Sequence, residues 1–120
     1  MTRILAVDDS QSMRDMVRIA LTSAGFEVTS AGDGQEALAL ARESDFDLVL
    51  SDVNMPVMDG IAFIRALRAE SAYRHIPILM LTTESDGDRK KEGKEAGATG
   101  WIVKPFDPAL LVATMHRVLR

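Results

Sequence analysis

Short apolar runs alternate along the chain with segments whose apolar residues recur every three or four positions. The runs occupy residues 4–7, 26–30, 47–52, 76–81 and 99–103; the second is half polar and is expected at a sheet edge. Continuous apolar runs of this length are typical of parallel strands covered on both faces. The spacing of an amphipathic helix follows the first run, at Met13, Met16, Val17, Ala20 and Leu21. Five such strand–helix units predict a parallel sheet with right-handed crossovers and helices on both faces.

Several helix boundaries are marked by residues that suit caps. Asp33 and Glu36 have the spacing of a capping box, and Asp59 can cap the third helix. At 107–108 an aspartate precedes a proline, which is the combination favoured at a helix start. Gly25 is suited to end the first helix.

Residues 84–97 differ from the other predicted helices because Ala96 is their only apolar residue. Interior glycines at 87 and 93 each cost roughly 0.5–1 kcal/mol relative to alanine. A helix without an apolar face gains little stability from packing. We therefore expect helix 4 to be short, frayed or mobile.

Composition and charge narrow the class of protein. The 120 residues fit one compact domain, which we expect to span 1–120 without an output domain. The net charge is −4 and the basic residues are scattered, so nucleic acid and anionic membranes are poor candidates as partners. The absence of cysteine excludes disulfides and thiolate chemistry. The apolar run 4–7 is too short for a signal peptide or membrane span, and we expect a cytoplasmic monomer.

Polar residues stand where four of the predicted strands end. They are Asp8 and Asp9 after strand 1, Asp52 after strand 3, Thr82 and Thr83 after strand 4, and Lys104 after strand 5. These ends share one edge of a doubly wound sheet, where ligands bind. Two like charges about 4 Å apart repel by about 4 kcal/mol at an effective dielectric near 20, so clustered carboxylates need neutralisation. Lys104 and a divalent cation would supply it, and hard oxygen ligands suit Mg²⁺.

This arrangement predicts formation and hydrolysis of an aspartyl phosphate. Asp52 would be the carboxylate nucleophile, and Mg²⁺, Lys104 and a threonine hydroxyl would hold the oxygens of the phosphoryl group. Each residue alone also has an ordinary interpretation. Asp9 or Ser10 could cap helix 1, the threonines could be turn residues, and Lys104 could be a solvated lysine. His75 and His116 lack ligand spacing and are interpreted as surface residues, and the methionines mainly as core residues.

Five separated motifs in this order resemble the receiver domain of two-component response regulators. They are Asp8-Asp9, Asp52 with Met55-Pro56 and Asp59-Gly60, Thr82, and Lys104-Pro105-Phe106. The chain is most similar to the stand-alone chemotaxis type of regulator. The resemblance implies a flavodoxin-like fold with five parallel strands in the order 2-1-3-4-5.

The resemblance also implies a reaction and a metal site. A phosphoryl group would pass from a phosphohistidine of a histidine kinase to Asp52. Mg²⁺ would be held by Asp9, Asp52 and the backbone carbonyl of Asn54, and Asp8 would act largely through a metal-bound water. The protein would catalyse only its own phosphorylation and dephosphorylation, and is otherwise not an enzyme.

The switching residues follow from the same resemblance. Thr82 would be the switch hydroxyl, Lys104 the partner of the phosphoryl group, and the Lys104–Pro105 bond cis. Trp101 stands where the family more usually has tyrosine or phenylalanine, and the alternative is a core aromatic residue. The helix 4–strand 5–helix 5 face would carry the output. Asn54 and Glu84, two positions after Asp52 and Thr82, should influence the lifetime of the phosphate.

The sequence leaves several hypotheses open. Helix 4 could be marginal at rest and become ordered when phosphate draws Thr82 inward or a partner docks, an order–disorder switch. The output could be a flagellar motor switch protein, a histidine phosphotransfer protein in a phosphorelay, a phosphatase, or no target at all if the chain is a phosphate sink. From other classes, small aspartyl-phosphate hydrolases resemble an Asp-x-Asp motif after strand 1, whereas Asp8 and Asp9 are adjacent here and we expect no cap domain. A flavodoxin-like cofactor binder would need a phosphate-binding loop where two acids follow strand 1.

Overall fold

The computed structural model describes residues 1–83 and 87–119, and within them five parallel strands form one sheet in the order β2-β1-β3-β4-β5. The elements alternate along the chain as predicted. The strands are β1 (Arg3–Val7), β2 (Glu27–Ala31), β3 (Leu48–Asp52), β4 (Ile78–Thr83) and β5 (Gly100–Lys104). The helices are α1 (Gln11–Ser23), α2 (Gly34–Glu43), α3 (Gly60–Arg68), α4 (Gly87–Ala96) and α5 (Pro108–Val118), with a short 3₁₀ turn at Ser71–Tyr73. The predicted fold class is therefore confirmed.

Alternate residues of each central strand enter separate cores on the two faces of the sheet. Leu5 and Val49 lie in the core beneath α2, α3 and α4, whereas Ile4 and Leu48 lie in the core beneath α1 and α5. β3 is buried along its whole length, as its continuous apolar run predicted. The half-polar strand β2 lies at an edge, where it pairs only with β1 among the described strands.

Side-chain caps begin four of the helices at the predicted aspartates and at Ser10. Ser10 Oγ accepts a hydrogen bond from the amide of Met13, and Asp33, Asp59 and Asp107 each accept one from the amide three residues later. The predicted capping box is modified. Glu36 accepts from the amide of Gly32, one residue before the cap.

Two strand boundaries differ from the predicted ones. β4 runs two residues further toward the carboxyl end than the interpretation 76–81, so that both Thr82 and Thr83 belong to the strand. β5 begins one residue later than predicted and includes Lys104. Thr82, Thr83 and Lys104 therefore lie within the strands, where the sheet holds them in register.

The expectation that helix 4 is short is wrong for the described residues, because α4 has ten residues, as many as α2. Part of the physical reason is Gly93, which faces the core. A Cβ on this residue would lie 1.9 Å from Met80 Sδ, so the glycine permits close packing against β4. The order–disorder hypothesis stays a prediction for residues 87–97, and residues 84–86 lie outside the described part.

Candidate functional site

The structure brings the predicted acidic residues together at the carboxyl edge of the sheet. Asp8 and Asp9 follow β1, and Asp52 is the last residue of β3, the strand beside it. Each of the three offers a carboxylate oxygen within 4.8 Å of the others. Asp8 and Asp52 are buried and Asp9 is exposed, so the cluster has one solvent-facing side.

Lys104, the last residue of β5, lies between the two buried carboxylates. Its Nζ is 3.2 Å from Asp8 Oδ2 and 3.2 Å from Asp52 Oδ1. One ammonium group is thus shared by two acids that come from different strands. The interpretation of Lys104 as a solvated loop residue is wrong.

The pKa of Asp52 is raised above 3.8, first by its burial and then by the negative charge of Asp8. Attraction and hydrogen bonding from Lys104, and the amide of Val53, oppose this without cancelling it. Burial alone would lower the pKa of Lys104, but the two carboxylates outweigh burial and raise it above 10.5. Burial and the charge of Asp8 therefore both favour the neutral form of Asp52, and Lys104 offsets them only in part.

The backbone around Asp52 is held tightly by the segment that leads into α3. The amide of Val53 donates to Asp52 Oδ1 at 2.9 Å, and the amide of Gly60 donates to the carbonyl of Val53 at 2.8 Å. A Cβ on Gly60 would lie 2.1 Å from the carbonyl oxygen of Asp52. Only glycine permits this approach, so the Asp59-Gly60 motif closes the loop against the candidate nucleophile.

Thr82 lies on β4, beside the end of β5, with its side chain buried. Its Oγ1 has no hydrogen-bond partner among the residues that the structure describes. A buried hydroxyl without a partner costs about 1–3 kcal/mol, so the group is suited to meet an oxygen atom that enters the site. Thr83, the next residue, is exposed.

Of the two residues predicted to influence the lifetime of the phosphate, Asn54 lies exposed in the loop after β3, and Glu84 lies outside the described residues. Trp101 is 43% exposed, so its interpretation as a core aromatic residue is wrong. Lys90 Nζ lies 5.7 Å from the centroid of the Trp101 ring. The Lys104–Pro105 bond is cis, as the resemblance implied.

Sequence reasoning missed two arginines near the site. Arg14 donates from Nη1 to the carbonyl oxygen of Asp8 at 2.6 Å, which fixes the backbone at the end of β1. Arg89, on α4, forms an ion pair with Asp59 at 3.2 Å. The contact of Arg14 could have been predicted from its position in the first turn of the helix that follows Asp8 and Asp9. Nothing in the local sequence indicated the ion pair between Arg89 and Asp59.

The acidic cluster fits a divalent cation by the chemistry of its donors. Three carboxylates supply hard oxygen ligands, and a site that opens to solvent on one side leaves room for water, as Mg²⁺ requires. His75 and His116 are exposed, as predicted. Within residues 1–83 and 87–119, no helix is both long and apolar enough to cross a membrane.

Comparisons with known proteins agree with this geometry. Residues 4–116 match the response regulator receiver domain family. The chain is 40% identical over 117 residues to the chemotaxis protein CheY-3 of Vibrio cholerae, with 97% of this chain and 90% of that protein covered. It is 45% identical to the DNA-binding response regulator MtrA of Mycobacterium tuberculosis, with 98% of this chain but 50% of that protein covered.

A solved structure extends the similarity to three dimensions. The chemotaxis response regulator CheY4 of Vibrio cholerae superposes with a TM-score of 0.95 at 56% identity, and 99% of each chain is covered. The family match, the shared strand order and the acidic cluster beside a lysine all agree. The chain belongs to the response regulator receiver domain family.

Proposed function

We propose that Asp52 is the phosphoacceptor of a two-component signalling switch and takes its phosphoryl group from a phosphohistidine of a histidine kinase. The observation that carries this proposal is the position of Lys104 Nζ, 3.2 Å from an oxygen of Asp52 and 3.2 Å from an oxygen of Asp8. A lysine placed there can contact a phosphoryl oxygen once that group is bonded to Asp52. Membership of the receiver family supports the same reaction.

The reaction balances with groups on this chain and on the donor. A carboxylate oxygen of Asp52 attacks the phosphorus atom, the phosphorus–nitrogen bond of phosphohistidine breaks, and the electron pair returns to the imidazole, which takes up a proton. The Lys104 ammonium and the Thr82 hydroxyl donate hydrogen bonds to the phosphoryl oxygens. Hydrolysis restores the carboxylate: water attacks the same phosphorus, the bond between phosphorus and the Asp52 oxygen breaks, and inorganic phosphate leaves with the oxygen and protons of the water. The chain would thus catalyse only its own phosphorylation and dephosphorylation.

Asp8, Asp9 and Asp52 would hold Mg²⁺, with the backbone carbonyl of Asn54 as a further ligand. The ion would neutralise the charge that accumulates when a phosphoryl group joins three carboxylates. Asn54 and Glu84 would influence the lifetime of the phosphate from positions beside the site.

The output would pass through the face formed by α4, β5 and α5. Similarity to chemotaxis proteins over nearly the whole chain supports a chemotaxis role, with a flagellar motor switch protein as the target. Trp101, exposed on this face, would respond to the movement of Thr82. A histidine phosphotransfer protein and a phosphatase are alternative partners that use the same phosphorylated residue.

Intact-mass spectrometry after incubation with a small-molecule phosphodonor tests the proposal. We expect the wild type to gain one phosphoryl group with Mg²⁺ and none in EDTA, and Asp52→Asn to gain none. Asp45→Asn, which changes an exposed aspartate in the loop before β3, is the matched control and should behave as the wild type. A wild type that gains no mass with Mg²⁺, or an Asp52→Asn variant that gains as much as the wild type, would show the proposal to be wrong.

A further inference from the structure

Helix α4 has few apolar contacts of its own, so polar contacts contribute much of what holds it. Gly93 and Ala96 are its only buried residues among those described. It packs on α3. Arg68, the last residue of α3, contacts the carboxyl end of α4, and Asp59, the residue that caps α3, contacts its amino end. The two contacts differ in kind.

Arg68, the last residue of α3, holds the carboxyl end of α4. Its Nε donates to the carbonyl oxygen of Gly97 at 2.9 Å, and its Nη1 donates to the carbonyls of Tyr73 and Ile76 at 2.8 Å each. These last two acceptors belong to the segment that leads into β4. This end of α4 is therefore tied to the sheet framework by an arginine that bridges several backbone carbonyls.

Arg89 holds the amino end of α4 through side chains alone. Its Nη2 lies 3.2 Å from Oδ2 of Asp59, which caps α3, and its Nη1 lies 3.2 Å from Oε2 of Glu92 on its own helix. The Arg89 side chain is only 25% exposed. Because Glu92 remains as a partner of Nη1, the contact with Asp59 can open while the guanidinium keeps one ion pair, although its buried Nε has no partner among the described residues.

Resting on the proposed function, we infer that the Arg89–Asp59 ion pair is a releasable restraint that keeps the amino end of α4 in its resting position. Arg89 is accordingly a positioning residue of the switch, while the Arg68 end of α4 stays fixed. The helix then has one fixed end, at Gly97, and one end that opens.

The ion pair lies between the phosphorylation site and the output face. Asp59 precedes Gly60, whose backbone lies against the carbonyl of Asp52. On the other side, only three residues separate Thr83, at the end of β4, from Gly87, at the start of α4. Because β4 and α4 lie this close along the chain, we expect movement of Thr82 toward a phosphoryl group to require a shift of the first turn of α4. The Arg89–Asp59 pair opposes that movement.

Hydrogen exchange in the unphosphorylated protein tests the restraint directly. The informative amides are those of residues 91–96, because the first four amides of a helix have no helical acceptor. We expect Arg89→Gln to raise their exchange by roughly two- to fivefold, the range for an ion pair of this exposure. Asp59→Asn, which can still cap α3, should raise the exchange rate by a similar factor. In the double variant the exchange rate should be only slightly higher than in either single variant, because both substitutions remove the same ion pair.

Arg18→Gln is the matched control, because it removes an exposed ion pair, with Asp15 at 3.4 Å on α1, by the same substitution. It should leave the exchange of α4 unchanged. The proposal is overturned if Arg89→Gln exchanges as the wild type does, if the two single effects multiply in the double variant, or if α4 of the wild type already exchanges as an unstructured chain would.

Affinity for the phosphoryl analogue beryllofluoride, measured with Mg²⁺, connects the restraint to the switch. A ligand that favours the released state should bind Arg89→Gln roughly two- to fivefold more tightly than the wild type, because the coupling is reciprocal. Equal affinities in the two proteins would overturn the role of the pair in switching. A wild type that neither binds beryllofluoride nor gains a phosphoryl group would instead overturn the proposed function, and the exchange data would still report on the restraint.

Discussion

Lys104 bridges Asp8 and Asp52, with its Nζ 3.2 Å from an oxygen of each. The three side chains come from the ends of β5, β1 and β3 and are 20%, 4% and 13% exposed. Removal of a shared cation from such a group leaves uncompensated charge with little access to water. The stability of the resting site therefore depends on this one lysine.

We expect Lys104→Met to lower the free energy of unfolding at pH 7 by roughly 1–3 kcal/mol, below the range for fully buried pairs because these groups are partly solvated. Addition of Mg²⁺ should narrow the difference, since a divalent cation at the acidic cluster replaces the missing charge. Urea unfolding with and without Mg²⁺ measures both effects. Lys104→Arg, which keeps the charge, is the control and should lose less stability. Equal unfolding midpoints for Lys104→Met and the wild type would contradict the prediction.

The pH dependence of stability should report the charge of Asp59, which both the amide of Ala62 and Arg89 stabilise. Burial alone would raise the pKa of Asp59, but the hydrogen bond from the amide of Ala62 and the Arg89 guanidinium outweigh it and lower the pKa below 3.8. A carboxyl group with a lowered pKa stabilises the folded state above its ordinary pKa, and this contribution is lost as the pH falls through the lowered value.

We therefore expect Asp59→Asn to be less stable than the wild type at pH 6 and the difference to shrink below pH 4. Urea midpoints taken from pH 6 to pH 2.5 test this, in 50 mM salt to limit screening. The same series on Asp45→Asn controls for the general effect of acid. A difference that stays constant across the series would show that the charge of Asp59 contributes nothing.

Trp101 is the only tryptophan of the chain, so intrinsic tryptophan fluorescence reports on this residue alone. Its ring is 43% exposed and has Lys90 Nζ at 5.7 Å from the centroid. If the ring turns inward when the site is filled, its emission should shift to shorter wavelength on addition of Mg²⁺ and beryllofluoride. Asp52→Asn should show no shift. An unchanged spectrum in a wild type that takes up phosphate would show that Trp101 does not switch as the resemblance to the receiver family implies.

Gly93 and Gly87 should respond to alanine in opposite directions. At Gly87 a Cβ would meet no atom of the described residues within 4 Å, so Gly87→Ala should stabilise the protein by roughly 0.5–1 kcal/mol. At Gly93 the new Cβ would lie 1.9 Å from the sulfur of the fully buried Met80, which must then move within a packed core. We expect Gly93→Ala to destabilise the protein by about 1–2 kcal/mol in thermal or urea unfolding. A gain of stability in both variants would mean that the core beneath α4 yields to an extra methyl group.

Val57 occupies a backbone conformation that β-branched residues rarely adopt, with φ at 69°. Its side chain is 77% exposed, so little packing is lost on truncation. We expect Val57→Gly to raise the free energy of unfolding by roughly 0.5–1 kcal/mol, because relief of the left-handed strain exceeds the added chain entropy. Val57→Ala keeps a Cβ and should stay closer to the wild type. A Val57→Gly variant less stable than Val57→Ala would contradict this account.

Local sequence determined the strand–helix order, the caps and the acids at the strand ends. These features depend on neighbouring residues. The run Leu48–Asp52 is apolar until it reaches a carboxylate, and Asp33, Asp59 and Asp107 each accept from an amide only three residues away. Because parallel strands end at one edge, the meeting of Asp8, Asp52 and Lys104 could also be predicted before any distance was known.

Tertiary structure alone decided how α4 is held and how Trp101 lies. The sequence of α4 predicts a weak helix, yet Gly93 packs on Met80, Arg68 binds Gly97 across 29 positions, and Arg89 reaches Asp59 across 30. Such contacts depend on how far apart the packed elements lie and on which way each side chain points. Neither the distance between elements nor the direction of a side chain is encoded in a periodic pattern or a local motif of the sequence. Both are set only when the helices pack on the two faces of the sheet.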